Sequence, residues 1–342
     1  MKFVEADFKS VEAFTLESGV ILPKIVQHYA IFGKINSGKS NVTLIFYALT
    51  GSARIDEWGT EISGDGKALD TSENAFVCIN FLGSREGSTG ANFVDLLGKN
   101  NKTEFPLLVT VADIIRAQKS VLDFLGIEKL NAVIGGSLGG MCALQFASEF
   151  PGAAEKCVAV GACELSATGL ALNHLQREAL KYEKGVSLAR QIAMISYKSR
   201  ELFNRKFSRR PNRNGENPRS NFEHRFDIAG YLDYQGAIFT KRFDAETYCR
   251  RTKAMDLFEL SDGQMRKIKA KTYLVGISSD WLFPASDVKN LAEKLKENGA
   301  NAEFIEFVSL DGHDAFLSDT RRMSEILKRI FTTKTQRTQS FQ

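Results

Sequence analysis

The chain has 342 residues, 43% of them hydrophobic and 25% charged, with a formal net charge of +4. A chain of this size and balance buries a sizeable core without disulfide staples. Its mild charge argues against a nucleic-acid binder, since the basic residues gather only in NRKFSRRPNRNGENPRS from Asn204, which reads as a solvated polar loop.

In chain order, MKFVEADFKSVEAF is charged and lacks the apolar centre of a signal peptide. Residues 25–33 (IVQHYAIFG), 41–49 (NVTLIFYAL) and 74–83 (NAFVCINFLG) are short apolar runs between turns and read as strands. Residues 111–127 place Val111, Ile114, Ile115, Val121, Leu122 and Leu125 near one face of a helix. A strand, LNAVIGG, follows, then a helix after Ser137, then the strand KCVAVGAC. From about Leu165 to Leu260 the rhythm is interrupted by helical stretches (165–182, 185–207 and 243–260) with no convincing strand. It resumes with the strand AKTYLVGI, the helix SDVKNLAEKLKENG, the strand AEFIEFV and a last helix from about Ser318. Strands alternating with helices predict a mostly parallel, doubly wound α/β sheet. The expected division is a core of residues 1–164 and 261–332 with an inserted helical cap of 165–260. The polar tail, 333–342, is expected to be poorly ordered.

Five cysteines (Cys78, Cys142, Cys157, Cys163, Cys249) form no C-x-x-C and no metal-like cluster. No stretch approaches the ~18 apolar residues of a membrane span. These features lead to the expectation of a reduced, cytoplasmic enzyme without bound metal.

The chemistry centres on NAVIGGSLGGMCALQFA, where Gly135, Ser137 and Gly139 satisfy G-x-S-x-G between a strand and a helix. A sharp turn there exposes the serine, and side chains two positions away would collide with neighbouring strands. The helix start behind Ser137 supplies free N–H groups and a positive dipole end for a developing oxyanion. A serine needs a base and the base an orienting acid, in the chain order Ser, acid, His. Of the four histidines, His28 lies early in a strand and His174 and His224 fall in the cap, which leaves His313, on a loop after a strand. Asp280, at the end of LVGISSDWLFP, is the expected acid; Asp311 and Asp314 beside the histidine are its rivals. The oxyanion donors are expected to be the backbone N–H of Leu138 and, after the strand NVTLIFYAL, that of Leu49.

These stretches resemble the homoserine O-acetyltransferases and their succinyl relatives, an acyltransferase family of the α/β-hydrolase fold. The resemblance runs from LESGVILPKIVQHYAIFGKIN through YALTGS, GSTG, GGSLGGMCALQFA, GVSLARQIAMISY and YLDYQGAIFTKRFDAETY to LDGHDAFLSD. It implies Ser137 as nucleophile, Asp280 as orienter and His313 as base. It further implies Arg190 as the holder of the amino-acid carboxylate, a residue that otherwise reads equally as a helix-surface arginine. Asp314 is implied to face the substrate amine. The implied reaction is ping-pong transfer of an acetyl group from acetyl-CoA, as a substrate and no resident cofactor, to L-homoserine, by a homodimer. The alternatives are an esterase or thioesterase, or transfer with succinyl-CoA as donor or serine or another alcohol as acceptor. Three positions depart from the family pattern. Tyr47 stands where a histidine is usual, and Ser84 and Arg85 replace a glycine-cysteine pair, with Glu86 following.

Overall fold

The computed structural model describes residues 3–58, 61–90, 107–212 and 215–332. The polar tail from residue 333 lies outside them. The strands are β1 (Phe3–Lys9), β2 (Phe14–Thr15), β3 (Ile21–Leu22), β4 (Val26–Phe32), β5 (Val42–Phe46), β6 (Ala75–Ile79), β7 (Leu130–Gly136), β8 (Ala154–Val160), β9 (Lys271–Ile277) and β10 (Ala302–Phe307). Eight of them make one sheet in the order β1-β4-β6-β5-β7-β8-β9-β10, and β2 pairs with β3. The β1–β4 and β4–β6 pairs are antiparallel, and every pair from β6 onward is parallel. Every residue of β5 and β6 is buried. Helices cover both faces of a parallel sheet, which is why those strands are continuous apolar runs.

Helix α1 (Val111–Phe124) starts at a reciprocal cap: the Thr110 hydroxyl accepts from the Asp113 N–H, and the Asp113 carboxylate accepts from the Thr110 N–H. Its buried face holds Val111, Ile114, Ile115, Val121 and Leu122. Helix α2 (Leu138–Glu149) follows β7 directly. The chain passes from β5 to β6 on one side and then to β7 on the other, so the order reverses at β5. Open α/β sheets bind ligands outside the carboxyl ends of their strands at such a reversal.

Between β8 and β9 the described chain is helical: α3 (Ala167–Ala179), α4 (Gly185–Tyr197), α5 (Arg200–Lys206), α6 (Asp227–Thr240), α7 (Ala245–Asp256) and α8 (Asp262–Met265). Helices α9 (Ala285–Glu297), α10 (Ala315–Ser318) and α11 (Thr320–Thr332) complete the chain. The short pair β2–β3 was absent from the sequence reading, and three larger differences stand beside it. Strand β1 was not foreseen, because an edge strand leaves Glu5, Asp7 and Lys9 in solvent. Stretch 185–207, read as helical, breaks at Lys198, which is extended (φ −115°, ψ 146°), and Ser199 recaps the chain by accepting from the Leu202 N–H. Helix α6 was anticipated only as part of a family phrase.

Candidate active site

Ser137 sits between β7 and α2 with φ 57° and ψ −127°, a left-handed conformation rare for a residue with a Cβ. Its N–H donates to the Val160 carbonyl (2.8 Å) and its carbonyl accepts from the Met141 N–H (3.0 Å). The flanking glycines are set by close approach. A Cβ on Gly135 would lie 2.1 Å from the Gly139 carbonyl, and one on Gly139 would lie 2.2 Å from the Phe46 oxygen. Thus α2 begins directly against the end of β5. As the first residue of α2, Leu138 has no carbonyl within the helix for its N–H.

His313 lies in a 3₁₀ turn (Gly312–Asp314) after β10, and Asp280 in the turn after β9. His313 Nδ1 and Asp280 Oδ2 are 2.6 Å apart. Oδ1 of Asp280 accepts from the Leu282 and Phe283 N–H groups (2.9 and 3.0 Å), so both carboxylate oxygens are engaged. His313 Nε2 is buried and has no hydrogen-bond partner among the described residues. The ring is packed by Phe283, Phe316 and Tyr197. Ser137 and this pair flank the end of β8: Val160 bonds Ser137, and Gly161 lies beside Asp280 and His313. Phe316 touches both Gly136 and the His313 ring. A neutral imidazole held at Nδ1 by a carboxylate, with Nε2 unused, is equipped to accept a proton. Of the rival acids, Asp311 accepts from the Ser318 hydroxyl (2.7 Å) through Oδ2.

Asp314 is ion-paired through Oδ2 with Lys198 Nζ at 2.9 Å, both side chains being largely buried. Lys198 gave no sequence signal, because it looks like one more helical residue; the break after Tyr197 brings it to the histidine loop. Burial disfavours the charged His313 ring, but the field and hydrogen bond of Asp280, with a contribution from Asp314, outweigh this and raise its pKa above 6.5; Lys198 opposes the rise. A base works unprotonated, so kcat/KM for acylation is expected to rise with pH through a midpoint above the ordinary imidazole value. Lys198→Met removes the opposing charge and moves that midpoint up, whereas Asp314→Asn moves it down. A pH–rate profile with the same midpoint in both variants would contradict this placement of charges.

Arg190, on α4, is half-buried, with its guanidinium 5.0 Å from the Phe239 ring and 5.5 Å from that of Tyr197. Its Nε is buried without a hydrogen-bond partner among the described residues. Tyr197 in turn packs against His313, so Arg190 lies one aromatic ring from that imidazole. Burial pushes the Tyr197 hydroxyl up to about 12, with Arg190 opposing, and the ring stays neutral.

After β5, residues 48–51 form a turn closed by the Gly51 N–H on the Ala48 carbonyl (2.9 Å). A cavity of about 570 Å³ opens beside it, lined by Ala48, Thr50, Gly51, Ser52, Glu86, Arg242 and Leu317. Of the charged residues Arg85 and Glu86 that depart from the family pattern, Glu86 reaches this cavity, and Arg85 is exposed outside its lining. Tyr47 is fully buried and stacks on Phe81 with ring centroids 3.9 Å apart. Among the described residues no group of three or more His, Cys, Asp or Glu is placed to hold a metal ion, and no helix is long and apolar enough to cross a membrane.

A mostly parallel sheet whose central strand ends in a strained serine turn defines an α/β-hydrolase, and residues 66–320 match the family model described as alpha/beta hydrolase fold. The chain is 36% identical over 348 residues to the homoserine O-acetyltransferase of Moorella thermoacetica, covering 92% of each chain. It belongs to the homoserine O-acetyltransferase family, a family of enzymes. Among solved structures, a homoserine O-acetyltransferase from Bacillus anthracis is similar with a TM-score of 0.86 and 20% identity, covering 98% of this chain and 99% of that one. Esterase E22 gives a TM-score of 0.83 at 21% identity, covering 96% and 99%. At these identities the two likenesses speak to the fold alone.

Proposed function

We propose that this chain moves an acetyl group from acetyl-CoA to the hydroxyl of L-homoserine by a ping-pong route through acyl-Ser137, a step of methionine biosynthesis. In this reading Ser137 Oγ attacks the thioester carbonyl while His313 Nε2 takes its proton. The N–H groups of Leu138 and Leu49 stabilise the tetrahedral oxyanion. The CoA sulfur leaves with the proton from His313. Homoserine's hydroxyl then gives its proton to His313, its oxygen attacks the acyl carbon, and Ser137 departs with the proton returned. Asp280 holds the imidazole throughout. The core at 1–164 and 261–332 carries this machinery, and the inserted cap at 165–260 supplies Arg190.

Arg190 carries the choice of acceptor. Its guanidinium packs among aromatic rings, makes no carboxylate pair among the described residues, and leaves Nε buried and unbonded. An arginine fork fits a carboxylate, and water as acceptor would have no use for it. Asp314 would meet the acceptor's ammonium in competition with Lys198. Relatives 36% identical over 92% of the chain, named homoserine O-acetyltransferase, support the same acceptor. A homodimer is part of the reading: α4 and α6 pack together and leave Leu188, Ile195, Tyr234 and Ile238 exposed. All five cysteines are free, as suits the reducing cytoplasm proposed for it.

The test follows CoA release from acetyl-CoA and succinyl-CoA with homoserine, serine, simple alcohols or no acceptor. Homoserine is expected to accelerate release, with O-acetylhomoserine as product. Arg190→Ala should leave acylation of Ser137 nearly unchanged and cost about 2–5 kcal/mol in acceptor binding, an acceptor KM raised at least ~30-fold. Arg190→Lys should recover only part. Equal release with and without homoserine, unmoved by Arg190→Ala, would establish hydrolysis instead.

A further inference from the structure

Arg251 belongs to CRRTK on α7, a run of charge that reads as a solvated helix face, yet it is only 2% exposed. Its Nη1 donates to the carbonyls of Leu49 (2.7 Å) and Gly51 (3.4 Å). Its Nη2 donates to Tyr47 Oη (3.2 Å) and to Glu86 Oε2 (3.0 Å). The guanidinium is walled by the rings of Tyr47, Phe81 and Phe243. Tyr47 Oη also accepts from the Phe81 N–H (2.5 Å), and Arg242, just after α6, donates to the Thr50 carbonyl (2.9 Å). Two arginines from the inserted segment, one on α7 and one between α6 and α7, therefore hold three consecutive carbonyls of the turn that follows β5.

In a trans peptide the C=O and N–H point in opposite directions, so fixing a carbonyl fixes the plane of its peptide. On one side of Leu49, the Ala48 carbonyl is held by the Gly51 N–H. On the other, the Leu49 carbonyl is held by Arg251. With both adjoining peptides pinned, the Leu49 N–H has one direction. An oxyanion donor stabilises the transition state in proportion to how little it must move when charge develops. Only a guanidinium offers enough planar donors to serve two carbonyls, a phenol and a carboxylate from one buried point. Glu86 supplies its counter-charge and is one-quarter exposed on the wall of the adjoining cavity.

We infer that Arg251, with Glu86 as its counterion and Tyr47 as its support, is a positioning residue for the Leu49 oxyanion donor and couples the inserted helices to the acyl-transfer step. This rests on the assignment of Leu49 as a donor. It is tested with p-nitrophenyl acetate, which requires neither CoA nor an amino-acid acceptor. Arg251→Met should slow the p-nitrophenol burst that accompanies Ser137 acetylation about 100-fold, with KM changed less than threefold. Affinity for an alkyl boronic acid, which makes a tetrahedral adduct on serine, should fall in parallel. The double variant Arg251→Met with Glu86→Gln leaves no unpaired carboxylate and should stay as slow, which separates lost positioning from stranded charge. Arg251→Lys keeps the charge but cannot reach all four acceptors, so at least a tenfold loss is expected; it also serves where the methionine variant does not fold. Lower melting temperature with a native burst rate and native boronate affinity, in the double variant or in Arg251→Lys, would overturn the inference. A native enzyme that acetylates Ser137 but ignores homoserine overturns the transferase reading and leaves this one standing.

Discussion

Replacing Ser137 with alanine is expected to lower acetyl transfer about 10⁶-fold and to leave the fold intact. The chemical loss is total at that position, since no other group follows from the turn to take the acyl carbon. The structural loss is small. The Ser137 hydroxyl makes no capping bond to the first turn of α2, so the helix start does not depend on it. Alanine keeps the same Cβ in the same left-handed conformation, so the strain at φ 57° is unchanged. Ser137→Gly removes that Cβ and should be more stable than Ser137→Ala by about 1 kcal/mol, read from chemical denaturation. Incubation of the native protein with acetyl-CoA should add one acetyl group at Ser137, located by peptide mass. The nearby thiol of Cys142 is a poor rival: it is fully buried, and burial pushes its pKa up, away from the reactive thiolate. Acetyl found on Cys142, or transfer that survives Ser137→Ala, would move the nucleophile elsewhere.

What could be foreseen from sequence divides along physical lines. Strands β5, β6, β7 and β9 are buried along almost their whole length and therefore wrote themselves as apolar runs. Helix α1 has one buried face and so a clean 3.6-residue period. The serine turn was legible because backbone crowding around Gly135 and Gly139 excludes side chains altogether. Asp280 and His313 stood out by lying just past strands, where a parallel sheet gathers its functional loops. Helix α6 carries Ile228, Tyr231, Leu232, Ile238 and Phe239 at helical spacing, but Ala229, Tyr234 and Ala237 put apolar residues on its other faces and blur the period, and of its large apolar residues only Phe239 is buried. Lys198 and Arg251 were invisible for a different reason. Each acquires its meaning from a partner more than a hundred positions away, Asp314 for one and Leu49 and Glu86 for the other. A basic residue in a polar helix looks the same whether solvent or a buried carbonyl receives it.

Asp280→Asn should reduce the rate about 10⁴-fold with the fold retained, and the hydrogen bonds around it give the reason. In the native protein one oxygen faces His313 Nδ1 and the other accepts two backbone N–H groups, from Leu282 and Phe283. An asparagine has one oxygen for those two environments. With its oxygen left on the Leu282 and Phe283 donors, its amide NH₂ faces Nδ1 and donates to it. The imidazole proton is then driven to Nε2, the nitrogen that has to accept the proton of Ser137. With the amide reversed, the NH₂ meets two N–H donors and both go unsatisfied in a buried site, which costs more than the first arrangement. The backbone of the β9 turn thus forces the wrong tautomer, and the carboxylate's stabilisation of the imidazolium disappears as well. The p-nitrophenyl acetate burst should therefore slow by about four orders of magnitude, while thermal unfolding changes little. Asp314→Asn should lose far less at the acylation step, because Asp314 lies against Lys198 and acts on His313 only through its field. If Asp311→Asn or Asp314→Asn were as severe in acylation while Asp280→Asn was mild, the orienting carboxylate would not be Asp280.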